Sequence, residues 1–395
     1  MSMYRMPPVI KRYWRFLIIK RLCGYLICSS IVLSICACSS SNEPEPKPVA
    51  HIEHMENVSI VWNDNDLKSS MAGSFVPVID NHTIFTADGS GNIFRIDQTD
   101  GTIIDSYHYG RKFSSGTAVT SNAIFVTTVD GYLLSIDKAQ GKIRWQAQLP
   151  TISVEAPQVG GAIVIVRTND SEVLAYNADN GNLIWIYQKP TPPLTLRVYN
   201  TFVVVGKDVV VIGQPGGRLA LLNLNTGMAI WENYVAIPGG ATDLDKLTDV
   251  SVRPFVSDKE ICVATFNGKL TCLDAISSNV IWGKKFSTSY GVLVDEQNTY
   301  SISQDGIVYA YDKNTGVKVW SNDVLRYRSL GVPSFLNNNI LVVDNDGYIN
   351  LFNRNDGKLV ARVSSNLKDG ISYPSSDGRH VVIQSANGNI AEITQ

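Results

Sequence analysis

The stretch IFVTTVDGYLLSIDKAQGKIRW (Ile124–Trp145) contains the repeating unit from which the whole fold can be read. An apolar run meets a turn at Gly131, YLLSID alternates apolar and polar residues, a second turn closes on Gly141, and a third segment carries Trp145. Alternation with a period of two marks a half-buried strand, because successive side chains leave a strand on opposite faces. Glycine at each turn supplies the left-handed backbone that tight hairpins demand. The unit is a run of antiparallel strands joined by short turns.

The same punctuation recurs from Asn57 to the end of the chain. SISQDGIVYAYDKNTGVKVW (Ser301–Trp320) and VIGQPGGRLALLNLNTGMAIW (Val211–Trp231) are further clean copies. The first-turn glycine falls at Gly91, Gly131, Gly217, Gly268, Gly306, Gly347 and Gly388, with Ser171 standing in once, at intervals of 40, 40, 46, 51, 38, 41 and 41. Short strands repeating at this period are the signature of propeller blades of four strands each. A helical solenoid of similar period is excluded, because alternation dominates and no sustained 3.6-residue period appears. The second glycine (Gly101, Gly141, Gly181, Gly227, Gly316, Gly357) or Ser278 opens the next hairpin. Four residues beyond it stand Trp145, Trp185, Trp231, Trp282 and Trp320, with Asp105 and Ala361 in the two blades that lack the ring. A large aromatic at one fixed place per blade is expected to fill the wedge between neighbouring sheets.

Eight first turns give eight blades. The last copy, HVVIQSANGNIAEITQ (His380–Gln395), lacks its fourth strand, whereas NVSIVWNDN (Asn57–Asn65) is a lone strand with Trp62 in the docking position. Joining the two closes the ring and removes the open sheet edges that a linear array would expose. The expected architecture is an all-β, eight-bladed β-propeller over residues 57–395, its last blade completed by the N-terminal strand.

Ahead of it, residues 1–37 hold six basic residues and no acidic one, and LCGYLICSSIVLSICA (Leu22–Ala37) is uncharged. Sixteen such residues fit a secretory signal better than the roughly 20 of a spanning helix. ICAC, with Ile35 three residues before Cys38 and Ala37 immediately before it, resembles a bacterial lipobox. Cleavage before Cys38 and acylation of its thiol are expected, and Ser39 after it implies sorting to the outer membrane. The competing reading is an uncleaved anchor helix, which also leaves the body outside the cytoplasm. Residues 38–56, polar and proline-rich, read as a flexible tether. Without residues 1–37 the chain has 28 basic and 36 acidic residues, a net of −8. With no basic run in it, nucleic acid is a poor partner.

The body holds two cysteines, Cys262 and Cys272, flanking a hairpin at Asn267-Gly268. A two-residue turn opposes Cys262 to Leu273 and leaves two buried free thiols, the expected state; a three-residue loop would face the thiols to each other.

The blade consensus, L-x-x-x-D-x-x-x-G-x-x-x-W, resembles the quinoprotein-type propeller repeat, and the details resemble the BamB family of outer-membrane assembly lipoproteins. Those details are a lipobox followed by eight blades, the long fourth interval, and two inter-blade segments. PTPPLTLRVYN (Pro190–Asn200) matches the family's Leu-x-Leu-Arg loop at Leu194, Leu196 and Arg197, and PGGATDLDKLTDVSVRP (Pro238–Pro254) matches its acidic segment at Asp249. Ser251 stands where the family has a second Asp, and Thr242-Asp243 where a Ser/Thr-Glu pair is common. The resemblance implies a non-enzymatic scaffold that docks the periplasmic POTRA region of the barrel subunit BamA through these loops. Strand order places both segments on one rim, as neighbouring crossovers between blades, and two leucines beside an arginine suit a small binding hot spot. The competing reading has the leucines cover the blade and Arg197 pair with Asp249 inside the molecule.

Related propellers that are enzymes hold pyrroloquinoline quinone and a metal with a vicinal Cys-Cys pair and a Glu/Asn/Asp cluster. The body has no such pair and no His/Cys/carboxylate set at ligand spacing, so no cofactor is expected. HIEH (His51–His54) is a weak metal motif, and DGSGNIF (Asp88–Phe94) lies between strands rather than before a helix, which makes it a turn and not a phosphate loop. A ligand site in the central funnel stays open, because the lining positions depend on strand register.

Overall fold

Among the described residues, thirty-two strands form eight separate four-stranded antiparallel sheets. The computed structural model describes residues 44–49, 52, 55–64, 67, 74–196, 201–368 and 373–395. Blades 1 to 7 span residues 78–108, 118–148, 158–187, 202–234, 255–286, 292–322 and 334–364, each with strands A to D in chain order. In blade 2 these strands are Ala118–Val119, Ala123–Thr127, Tyr132–Asp137 and Ile143–Gln148. Blade 8 takes strands A to C from residues 375–394 and its outer strand, Ser59–Asp64, from the start of the propeller. Ser59 pairs with Thr394 and Asp64 with Ile390, which closes the ring as the lone N-terminal strand suggests.

The core lies between blades rather than within one sheet. Ile163, Val173 and Trp185 of blade 3 pack with Phe202, Ile212 and Leu222 of blade 4, all of them buried. The strand-D tryptophans complete these layers with a repeated contact. Each donates Nε1–H to a carbonyl of the next blade: Trp62 to Gln98 at 2.8 Å, Trp145 to Ala178 at 3.0 Å, Trp185 to Leu224 at 2.8 Å, Trp231 to Ala275 at 3.1 Å, Trp282 to Lys313 at 2.6 Å and Trp320 to Arg354 at 2.9 Å. The acceptor always sits three residues before the second-turn glycine or Ser278, so the ring lies on that turn. A Cβ on Gly101, Gly181, Gly227, Gly316 or Gly357 would come within 2.3–2.6 Å of the ring. Glycine fits there without displacing the ring, and positive φ favours it independently, although under Trp231 the same slot holds Ser278 at φ 58°. Between blades 1 and 2 the ring is Tyr107, two residues beyond Asp105, while the Tyr109 hydroxyl donates to the Gly141 carbonyl at 2.8 Å.

The turns between strands B and C contain three residues, and this corrects the cysteine expectation. Thr265 N–H donates to the Lys269 carbonyl at 3.0 Å, and Cys262 opposes Cys272 rather than Leu273. The two form a disulfide, with Cα atoms 4.1 Å apart and both residues buried. The cause is a side chain at the start of the turn. Thr265 Oγ1 accepts the Lys269 amide at 2.8 Å, as Thr128 accepts that of Tyr132 and Asp344 that of Tyr348. Reaching four residues ahead selects the longer loop, whose left-handed residue here is Asn267 (φ 47°). Ser171, in the slot that glycine holds elsewhere, has φ 69°.

Residues just before the first strand lie against blades 6 and 7. Lys47 pairs with Asp323 at 2.5 Å, the Arg328 guanidinium donates to the Lys47 carbonyl at 3.0 Å, and Glu56 N–H donates to the Val360 carbonyl at 2.8 Å. Cys38, the signal segment and both histidines of HIEH lie outside the described residues.

Candidate partner-binding site

Four-stranded blades fix which connections share a face. The crossovers from strand D to the next strand A and the B–C turns are on one side, and the A–B and C–D turns on the other. Residues 188–201 cross from blade 3 to blade 4, and residues 235–254 from blade 4 to blade 5. Leu194, Leu196 and Asp249 are therefore on the same rim, as expected. Arg197 lies outside the described residues.

Asp249 binds the two crossovers together. Its Oδ2 accepts the Leu196 amide at 2.6 Å, its Oδ1 accepts the Gly216 amide at 2.8 Å, and its carbonyl accepts the Phe266 amide at 2.9 Å. With Asp249 only 2% exposed, the structure moves it from the contact surface to a position behind it. A carboxylate buried among amides needs these bonds, because an unsatisfied buried charge is costly. The other end of the loop is held by Arg218, whose guanidinium donates to the Pro190 carbonyl at 2.6 Å. Pinned at residues 190 and 196, the loop presents Leu194 at 46% exposure and leaves Leu196 half-buried.

The acidic crossover adds apolar side chains that sequence reasoning did not assign. Ile237 is 81% and Leu244 64% exposed. Thr242 and Asp245, on either side of Leu244, cap each other: Asp245 N–H donates to Thr242 Oγ1 at 3.1 Å and Thr242 N–H to Asp245 Oδ2 at 3.0 Å. The hydrogen bonds from Thr242 hold the Asp245 carboxyl below its ordinary range. This reciprocal pair starts a single helical turn, in which Lys246 N–H donates to the Thr242 carbonyl at 3.2 Å. The Thr-x-x-Asp spacing was the available signal. Ser251, at the position of the family's second Asp, is 3% exposed and bonds to the Thr288 carbonyl at 2.5 Å, so it supports blade packing rather than a surface.

Among the described residues the rim thus offers three exposed aliphatic side chains, Leu194, Ile237 and Leu244, on braced backbone. Among the described residues no three His, Cys, Asp or Glu side chains gather as a metal site.

Residues 89–322 match the family model described as outer membrane protein assembly factor BamB. The BamB of Bordetella pertussis is 31% identical over 366 residues, covering 92% of this chain and 94% of that protein. That of Burkholderia pseudomallei is 32% identical over 377 residues, covering 94% and 98%. Among solved structures, BamB from Moraxella catarrhalis superposes with a TM-score of 0.76 at 24% identity over 86% of this chain and all of that one. A quinohemoprotein alcohol dehydrogenase from Comamonas testosteroni reaches 0.68 at 14% identity, covering 85% of this chain and 76% of that one, a likeness of fold alone. With more than half of the chain inside the family model and relatives above 30% identity along almost its full length, the chain belongs to the outer membrane protein assembly factor BamB family.

Proposed function

We propose that the protein is a non-enzymatic assembly factor for outer-membrane β-barrel proteins, working as a docking scaffold on the periplasmic side of the outer membrane. Residues 1–37 serve as its signal peptide, Cys38 carries the lipid, and residues 57–395 form the propeller that meets the partner. The partner is the POTRA region of the barrel subunit BamA, and Leu194, Leu196 and Arg197 make the contact while Asp249 holds their loop in place. The observation that carries this reading is the bracing of Leu194. An apolar side chain held half in water by a loop fixed at both ends gains on burial and loses little entropy when a partner covers it. The Cys262–Cys272 disulfide suits an oxidising compartment such as the periplasm.

Affinity isolation with the Leu194→Ala/Arg197→Glu double variant tests the contact. The variant, folded by circular dichroism, loses the barrel subunit; full retention of affinity would place the docking surface elsewhere. Metabolic palmitate labelling is lost in Cys38→Ala, and labelling that survived would refute the lipid anchor.

A further inference from the structure

The crossovers into blades 5 to 8 converge on the propeller axis around a cavity of about 310 Å3. Its wall is apolar for the most part, with Phe255, Leu293, Val332 and Pro333 among the lining residues. Arg253 and Tyr373 share this wall although they stand 120 residues apart, and the Arg253 amide donates to the Tyr373 hydroxyl oxygen at 3.1 Å. Among the described residues Arg253 is the one charged residue in the lining, and no carboxylate among them lies within ion-pair distance of its guanidinium. The nearby acid Glu155 is committed elsewhere, to Arg167 at 2.9 Å and to the Thr201 amide at 2.9 Å. The phenol of Tyr373 accepts one bond and keeps its own proton to donate.

We propose that this funnel mouth binds a single carboxylate carried on an apolar group, with Arg253 and the Tyr373 hydroxyl holding the carboxylate and the Phe255/Val332/Pro333 wall covering the rest. A planar guanidinium pairs with a carboxylate through two parallel bonds, and a concave low-dielectric wall strengthens them. Burial raises the Tyr373 phenol to about 12, which keeps it a donor across the physiological range, while Arg253 is exposed at the mouth and open to a ligand from solvent. A polyanion is a poor fit, because one cation stands in a body of net charge −8. A wholly apolar ligand would cover the guanidinium without pairing it, at a desolvation cost. The volume suits one residue-sized apolar group. A polypeptide C-terminus and a free acid share this chemistry.

Isothermal titration calorimetry on the full chain in detergent tests the site with N-acetyl-leucine, N-acetyl-leucine amide, and a ten-residue peptide ending in leucine with its C-terminus free or amidated. Saturable binding of the free acids is expected, with the amides at least tenfold weaker. Arg253→Gln weakens the acids at least tenfold, and Tyr373→Phe weakens them severalfold. A free-acid peptide tighter than N-acetyl-leucine identifies a chain terminus as the ligand; equal or weaker binding identifies a small acid. Equal affinity for acid and amide, an unaffected Arg253→Gln variant, or no saturable heat would overturn the proposal. Arg253→Gln retains the barrel subunit, which separates this site from the rim.

Discussion

Replacing Asp249 by Asn removes one acceptor and almost no volume, and the consequences can be worked out from two distances. The carboxylate takes the Leu196 amide at 2.6 Å and the Gly216 amide at 2.8 Å. Asn can accept only one of them; its NH2 then faces the other amide donor to donor. Leaving a buried amide unpaired costs about 1–3 kcal/mol, and bonds to a charged acceptor stand at the upper end, so the loss is about 2 kcal/mol. With an unfolding entropy of roughly 2.1 cal/mol/K per residue over a propeller of this size, the melting temperature falls by about 3 °C. The local effect is larger: opening of the 190–196 loop becomes easier by about 2 kcal/mol, which accelerates exchange of the weaker-held amide about 30-fold. Hydrogen exchange resolved at Leu196 and Gly216, with a melt in parallel, measures both. Binding of the barrel subunit falls in this variant although the 2%-exposed Asp249 offers a partner almost nothing to touch. Leu194→Ala, by contrast, weakens binding with no change in melting. Unchanged protection at both amides would refute the bracing, and binding lost without any loss of protection would return Asp249 to direct contact.

Two further variants test the fold's own logic. Trp185→Phe keeps a ring on Gly227 and deletes the bond to the Leu224 carbonyl, a loss of about 1 kcal/mol. Gly227→Ala forces a Cβ to within 2.6 Å of the same ring at φ 70° and costs at least about 2 kcal/mol. Thermal melts should therefore rank Gly227→Ala below Trp185→Phe, and the opposite order would undo the account of the glycine. Replacing Cys262 and Cys272 by Ala opens a loop of 10 residues, worth about 2–3 kcal/mol of unfolded-state entropy. Reductant lowers the melting temperature of the native chain and leaves the double variant unmoved. Cys262 and Cys272 found as free thiols in the unreduced chain, by alkylation under strong denaturant and peptide mapping, would contradict the bridge.

The blade count and the ring closure were legible because they rest on local rules repeated many times. Glycine at a left-handed turn, alternation along each strand and one ring per blade are each visible within a few residues, and Trp62 ahead of the first full repeat carried the closing strand. What escaped depended on contacts between distant segments. The hairpin at Asn267-Gly268 looked like a two-residue turn, and only the reach of Thr265 Oγ1 to the Lys269 amide makes it three. Asp249 read as a surface acid, yet its partners lie 53 and 33 residues away. Tyr107 was missed because the expected slot held Asp105, and the chain reaches the same wedge two residues later. The Arg253–Tyr373 contact has no sequence signal at all, since only closure of the ring brings blades 5 and 8 to one axis.

These differences point to how the family's fold divides its labour. Inside each blade almost every recognisable residue is spent on structure: the turn-starting Ser, Thr or Asp holds the next strand, the glycine admits the ring, and the ring's N–H joins one blade to the next. Changing the glycine or the ring disturbs two blades at once. The repeat does not fix the length of the crossovers, and residues 188–201 and 235–254 make the longest two between consecutive blades. A long surface loop, however, spends binding energy on being ordered. Asp249 and Arg218 remove that cost by tying one crossover to the neighbouring blade at both ends of the exposed leucine. The proposed docking loop therefore depends on both long crossovers, since Asp249 of one holds Leu196 of the other. It follows that shortening the 4→5 crossover should abolish binding through the 3→4 loop even when Leu194 and Leu196 are left intact.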